Sequence, residues 1–358
     1  MLSPSTSGLL DTLTEHPHLA SLARELTVKI EGVDDDRILW LFRQSADEFF
    51  VGPDWRDWFE LSESSDWHDW LQSEGADPQR TLDWLFKAIA PHLLYLDVEE
   101  DGNCLDVHTV FRLHTFPALT ELRTSAFVPF VASKFPALTT LECYESYRTE
   151  SHLEGVEPPP PPPFALNTLL FSGDRHDEEV LLAYLTWLTS TSLTSLTELE
   201  ISYDHATFPL IPLFTSLRSL RFREFTLPDW QPDFDTFPDL PPFLEFLEIT
   251  VEGPPHRKTK LDHTPLVSLP PSIIRLALDF HLFRPSVLAE LVRRGILPKL
   301  EQLTLLTGVF YPERSSQAVE RSWQPSGIME LRRACGERGV ELEPYARSIE
   351  DLKVDRGE

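Results

Sequence analysis

The sequence predicts an α/β solenoid, in which a parallel sheet of about ten short strands is built repeat by repeat along the chain. Three observations predict it. A skeleton of the form L-x-x-L-x-apolar recurs between residues 93 and 305. Proline repeatedly stands just before it, and segments with helical patterns separate some of its copies. Because a lone strand of this kind cannot bury its apolar face, neighbouring repeats must stack.

The repeat is clearest where FPALTELRT (116–124) returns as FPALTTLEC (135–143). Repeats of about 20–29 residues with this skeleton are leucine-rich repeats, whose leucines face the core in alternation with outward residues. The asparagine that usually follows each strand is missing, so we expect an irregular leucine-rich-repeat solenoid. The copies begin at residues 93, 119, 138, 166, 196, 217, 244, 273 and 300.

Residues 1–90 are predicted to be an acidic, tryptophan-rich cap with a first repeat strand at 26–30. The insertion at 34–90 is interpreted as a helical subdomain that covers the first edge of the solenoid. A helix is predicted after Pro78, near the end of the cap, because the apolar residues there have helical spacing. Two tryptophan pairs at i, i+3 spacing form the core of this cap or, alternatively, an exposed docking patch; they are Trp55 with Trp58 and Trp67 with Trp70.

Residues 91–345 form the solenoid in this prediction, and residues 346–358 form a flexible acidic tail. Helical patterns cover 178–188, 286–294 and 326–336, with Gly295 as a stop signal after the second of them. The last helix leads to a final strand at 340–342. The stretch 225–239 is too rich in proline and aspartate for a helix, so we expect an irregular crossover.

The charge balance excludes several classes of protein. The chain has 58 acidic and 31 basic residues, a formal charge of −27. Binding of nucleic acid or of an anionic membrane leaflet needs a basic surface, so neither partner is expected. Three cysteines do not make a disulfide framework and suit a reducing compartment. With no signal peptide and no long apolar span, we expect a cytoplasmic or nuclear protein.

No motif of an enzyme is found. There is no glycine-rich phosphate loop, no G-x-S-x-G elbow and no histidine or cysteine spacing typical of zinc. We therefore expect no catalytic residue, no cofactor and no metal site. One alternative stays open: a cation-dependent enzyme or regulator could use the acidic insertion, where Asp34, Asp35 and Asp36 form the densest run of carboxylates.

A family resemblance rests on HPHLASLARELTV (16–28) and on the phrases FPALTEL, LTSLTELEI, FTSLRSLRF and LPKLEQLTL. These resemble the diverged leucine-rich-repeat region of fungal F-box proteins, over roughly residues 10–345; no F-box is found in this chain. Family members that carry an F-box are substrate receptors of cullin-based ubiquitin ligases. The resemblance implies a non-enzymatic scaffold that binds a protein partner and acts as a substrate-receptor-like adaptor. An adaptor unrelated to ubiquitin is the alternative.

The predicted binding surface is the concave strand face. In each repeat, the residue between the last two apolar positions points away from the core. Across neighbouring strands these residues form one row, in which acidic and basic side chains alternate. Either the row neutralises itself or it recognises a partner, and one row can do both. Its charged members are Asp97, Arg123, Glu142, Glu200, Arg221 and Glu248.

A run of six prolines is the sharpest local signal. Such a run favours an extended polyproline II helix, which is a ligand of SH3 and WW domains. The alternative is a rigid loop within one long repeat. The run consists of Pro158, Pro159, Pro160, Pro161, Pro162 and Pro163.

Overall fold

The computed structural model describes residues 16–30, 38–43, 78–100, 111–124, 127, 129–145, 160–173, 178–202, 205–226, 240–252, 268–279, 285–306 and 325–345. The chain divides into two compact units. The first unit comprises residues 1–176 and 186–192, and the second comprises residues 177–185 and 193–358.

The first unit contains six strands, in the spatial order β2-β1-β3-β4-β5-β6. From β1 to β6 every neighbouring pair is parallel, and each leucine position of one strand faces a leucine position of the next. The strands are β1 (Glu25–Ile30), β2 (Ile38–Arg43), β3 (Tyr95–Glu100), β4 (Glu121–Thr124), β5 (Thr140–Glu145) and β6 (Thr168–Gly173).

The first edge of this sheet is covered by a strand that lies within the insertion at 34–90, which was predicted to be a helical subdomain. Strand β2 pairs antiparallel with β1, from Glu25 opposite Arg43 to Ile30 opposite Ile38. Its sequence, ILWLFR, is rich in branched and aromatic residues that favour strands, and pairing satisfies the backbone groups along one edge of β1. The predicted helix near the end of the cap is present as α1 (Pro78–Ile89).

The second unit contains six strands that follow one another in chain order, and every neighbouring pair is parallel. The strands are β7 (Glu198–Ser202), β8 (Ser219–Thr226), β9 (Phe246–Glu252), β10 (Arg275–Asp279), β11 (Gln302–Leu306) and β12 (Glu341–Tyr345). Helices α3 (Pro285–Arg294) and α4 (Pro325–Arg338) belong to this unit, whereas α2 (Glu178–Thr189) contributes residues to both units.

The strand leucines and a set of phenylalanines form the core. The leucines at both skeleton positions of β3, β4 and β5 are fully buried. In the first unit, the rings of Phe116 and Phe135 stack with centroids 5.1 Å apart, and Phe86 of α1 meets Phe116 edge to face at 5.3 Å. The phenylalanine that opens each FPAL phrase is therefore a core residue, a role that the sequence analysis did not assign.

Threonines just before β4 and β5 link successive repeats by hydrogen bonds. The Thr120 N–H donates to the Leu94 carbonyl, and the Thr139 N–H donates to the Thr120 carbonyl, both at 2.9 Å. Each threonine hydroxyl also donates to the same carbonyl, at 3.1 Å. These bonds satisfy the carbonyls of residues that stand just before β3 and β4, and they join each repeat to the previous one.

The predicted α/β architecture is confirmed, because eleven of the twelve described strands pair in parallel. The helices predicted at 178–188, 286–294 and 326–336 are α2, α3 and α4. Other returning segments are 3-10 helices, Pro129–Lys134 and His205–Leu213. The tail at 346–358, Asp34–Asp36, the two tryptophan pairs and most of the crossover at 225–239 lie outside the described residues.

Candidate interaction surface on the outward strand face

Two rows of side chains lie on the face of the strands opposite the leucine core, which we call the outward face. The middle row is the one predicted from the sequence, and its register is as predicted. Asp97 lies opposite Arg123, which lies opposite Glu142. In the second unit, the same order holds for Glu200, Arg221 and Glu248.

The middle row is more buried than an interaction surface usually is. The exposed fraction is 5% for Asp97, 9% for Glu142, 6% for Glu200 and 3% for Glu248. Carboxylates are almost never buried to this degree unless a cation pairs with them. The arginine between each pair of carboxylates supplies that cation.

In the first unit, Arg123 joins the two carboxylates beside it. Its Nε lies 2.7 Å from Glu142 Oε2, and its Nη1 lies 3.6 Å from Asp97 Oδ2. The Tyr95 hydroxyl donates to the same oxygen of Asp97, at 3.4 Å. Burial raises the pKa of Tyr95, and the charge of Asp97 raises it further. The phenol therefore remains a neutral donor to the carboxylate.

In the second unit, Arg221 contacts three carboxylates. Its Nη1 lies 2.8 Å from Glu198 Oε1 and 3.5 Å from Glu200 Oε2, and its Nε lies 3.8 Å from Glu248 Oε2. A guanidinium has five N–H donors, so it can serve several acceptors at once. The middle row is thus held together by its own charges, and it forms the floor of the outward face.

The second row, which we call the leading row, stands two residues earlier on each strand and was not singled out from the sequence. None of its side chains is buried. Alternation would have located it, since residues two apart on a strand share a face. Its members are Glu25, Tyr95, Glu121, Thr140 and Thr168 in the first unit, and Glu198, Ser219, Phe246, Arg275, Gln302 and Glu341 in the second.

The leading row of the first unit concentrates negative charge. Burial raises the pKa of Glu121, and the carboxylates of Glu142 and Glu25 add to this rise against the lowering effect of Arg123. One guanidinium thus faces several carboxylates. A cationic side chain from a partner would relieve that repulsion, because opposite charges at short range stabilise one another.

The leading row of the second unit has a different character, because an aromatic ring stands between two cations. The guanidinium carbon of Arg275 lies 4.9 Å from the centroid of the Phe246 ring, and that of Arg221 lies 5.3 Å from it. Both distances fall within the range of cation–π attraction.

The polyproline run ends in a segment that is fixed to the last turn of α2 and to the turn that follows it. The indole N–H of Trp187 donates to the Pro160 carbonyl at 2.8 Å, and the Thr191 hydroxyl donates to the Phe164 carbonyl at 2.5 Å. Pro162 is buried, whereas Pro160, Pro161 and Pro163 are exposed. Pro158 and Pro159 lie outside the described residues.

Within the part of the chain that the structure describes, no group of three histidine, cysteine or acidic residues could hold a metal ion. The His114 ring forms a hydrogen bond with Asp83 of α1 at 2.8 Å. Among the same described residues, no helix is long and apolar enough to cross a membrane.

Comparison with known proteins adds no identification. No protein-family model matches the chain, and no curated protein matches it either.

Proposed function

We propose that the chain is a non-enzymatic scaffold that binds a protein partner on the outward strand face. The observation that carries the proposal is the division of that face into two rows. The middle row pairs its own charges and is mostly buried, whereas the leading row keeps charged and aromatic side chains accessible. The ion-paired middle row supports the accessible side chains of the leading row. Side chains that are already ordered lose less conformational entropy when a partner binds.

In the first unit, the proposed partner segment carries lysine or arginine. Glu25 and Glu121 stand on the leading row beside the half-buried Tyr95, and the structure shows no ion pair for either carboxylate among its described residues. A basic residue of the partner would supply the missing countercharge, while Tyr95 offers aromatic contact area.

The proposed cellular role is a substrate-receptor-like adaptor in ubiquitin ligation, working in the cytoplasm or nucleus. It is supported by the resemblance of the repeat phrases to fungal F-box proteins and by the regular parallel register of the strands. The leucine-rich-repeat class of the fold is part of the same proposal. An adaptor outside ubiquitin ligation would use the same surface.

The experiment is an affinity capture with mass spectrometry on three forms of the full chain. One is wild type, one carries Glu25→Arg and Glu121→Arg together, and the third carries Glu301→Arg, which reverses an exposed charge outside both rows. Proteins retained by wild type and the control but lost from the double variant support the surface. Equal capture by all three forms would contradict it.

The same capture separates the two kinds of adaptor. Cullin-ligase subunits that are enriched with the wild-type chain support the ubiquitin role. Their absence, when other proteins depend on Glu25 and Glu121, leaves a repeat adaptor outside ubiquitin ligation.

A second partner surface is proposed at the exposed prolines Pro160, Pro161 and Pro163, which fit an SH3- or WW-type groove. The anchoring bonds from Trp187 and Thr191 hold this segment in place. Titration of purified SH3 and WW domains into the full chain tests it. A Pro161→Ala, Pro163→Ala variant that binds them as tightly as wild type would contradict the proposal.

A further inference from the structure

Arg275 stands out on the outward face because it is an exposed cation without a carboxylate partner among the described residues. Other arginines near it are engaged. Arg221 contacts three carboxylates, and Arg218 pairs with Glu245. In a chain with a formal charge of −27, an arginine on a sheet face that has no carboxylate partner among the described residues is open to a countercharge from a binding partner.

The ring of Phe246 holds Arg275 in place. Stacking on a ring uses the flat face of the guanidinium, so its N–H donors stay available for a planar acceptor. A guanidinium that is already ordered loses less side-chain entropy on binding than a mobile one. The arginine is therefore prepared for a ligand that can accept two parallel hydrogen bonds.

The neighbouring strand places a further donor beside this arginine. Gln302 lies opposite Arg275 across the β10–β11 ladder, and Thr304 lies opposite Ala277. The strands are about 4.8 Å apart, so the amide of Gln302 is within reach of a group bound at Arg275, whereas Thr304 stands two residues further along β11.

We propose that Phe246, Arg275 and Gln302 form a subsite for the carboxylate of an aspartate or glutamate side chain of a protein partner. The inference rests on the proposed scaffold function and names the chemistry that its second unit recognises. A carboxylate matches the guanidinium fork and can also accept a hydrogen bond from the amide of Gln302. Because the sheet face is open, the rest of the partner must supply further contact area.

The test uses a displayed library of short random peptides selected on the full-length protein. Each selected peptide is resynthesised with its acidic residues changed singly to the amide, and dissociation constants are measured for wild type and Arg275→Met. For the wild-type protein, we expect one such amide change to weaken binding about tenfold or more, as for a charged hydrogen bond. Arg275→Met should show the same loss with the unaltered peptide and almost no further loss with the amide peptide.

Arg332→Met is the matched control, since it removes the same charge from an exposed position on α4. It should leave the affinities unchanged, and both variants should melt like wild type. Equal effects of the amide change on wild type and Arg275→Met would overturn the subsite. Selection of peptides that lack an essential acid, or of none at all, would overturn it too. Neither result decides the capture experiment with Glu25 and Glu121, which tests the scaffold function separately.

Discussion

The guanidinium of Arg221 lies between Glu200 and Glu248, and both carboxylates are nearly inaccessible to water. Removing one partner of a buried ion pair leaves an uncompensated charge. Arg221→Met should therefore lower the free energy of unfolding by about 3 kcal/mol, at the lower end of the range for buried pairs because part of Arg221 is exposed. Urea denaturation measures the loss.

Arg218→Met is the control for this prediction. Arg218 and Glu245 form an exposed pair, and such pairs contribute about 0–1 kcal/mol. If both variants lost the same small amount, Glu200 and Glu248 would not depend on Arg221, and the middle row would not be a charge-paired floor.

Glu121→Gln should stabilise the protein at neutral pH. Burial raises the pKa of Glu121 above its ordinary value of 4.5, so the folded state disfavours its charge. A raised carboxyl pKa stabilises the fold only while the group is protonated, and this stability is lost as the pH rises through the folded-state pKa. The advantage of glutamine should thus shrink on acidification and disappear below pH 4.5.

Urea midpoints of wild type and Glu121→Gln, compared at neutral pH and below pH 4.5, measure this difference. Glu301→Gln, at an exposed position, should change neither midpoint by more than a small amount. A loss of stability in Glu121→Gln at neutral pH would mean that attraction to Arg123 outweighs the partial desolvation of the carboxylate.

At the scale of elements, the end of α3 depends on the backbone of Gly295. Its φ is +62°, and its N–H donates to the Val292 carbonyl at 3.0 Å, which closes the helix. An alanine there is strained, and its Cβ would meet the flexible guanidinium of Arg338. Gly295→Ala should therefore cost about 1–2 kcal/mol.

Gly336 provides the opposite case within α4. It has no positive φ, and an added Cβ would meet nothing within 4 Å. Gly336→Ala should stabilise the protein by about 0.5–1 kcal/mol, because alanine loses less backbone entropy in a helix. Thermal unfolding of the two variants checks both signs, and a stabilising Gly295→Ala would contradict the helix end described for α3.

Helices and strands whose apolar residues recur at a regular spacing could be predicted from the sequence. The leucine skeleton determined the strands and their register, and the buried face of α4, with Ile328, Leu331, Ala334 and Cys335, followed from helical spacing. Strand β2 could not be predicted in this way. Its run ILWLFR lacks the alternation of apolar and polar residues that identifies a strand. Its pairing with β1 depends on the fold and cannot be read from a local sequence pattern.

The two rows of the outward face show a similar limit. Because side chains alternate along a strand, both rows lie on one face. The alternation does not show which of the two rows is covered by neighbouring side chains. The charges of Asp97, Arg123 and Glu142 pointed to the middle row, whereas accessibility favours the leading row. Burial of a charged side chain depends on its ion pairs with the adjacent strands, and these require the fold.

At the scale of the whole molecule, a stacked array is stabilised mainly by contacts between neighbouring repeats. A defect in one repeat should therefore weaken its neighbours first. Leu220 is fully buried in β8, between β7 and β9. Leu220→Asp places an unpaired carboxylate in the core, which costs several kcal/mol.

Hydrogen exchange followed by mass spectrometry can measure how far this defect spreads. In Leu220→Asp, the amides of β7, β8 and β9 should lose protection most, and those of β11 and β12 should lose least, because they are three and four strands from β8. Leu213→Asp is the control, since Leu213 of the 3-10 helix His205–Leu213 is 49% exposed and should leave protection nearly unchanged. A uniform loss over β7 to β12 would show that the second unit unfolds as one cooperative block, and the nearest-neighbour description would then be wrong for this unit.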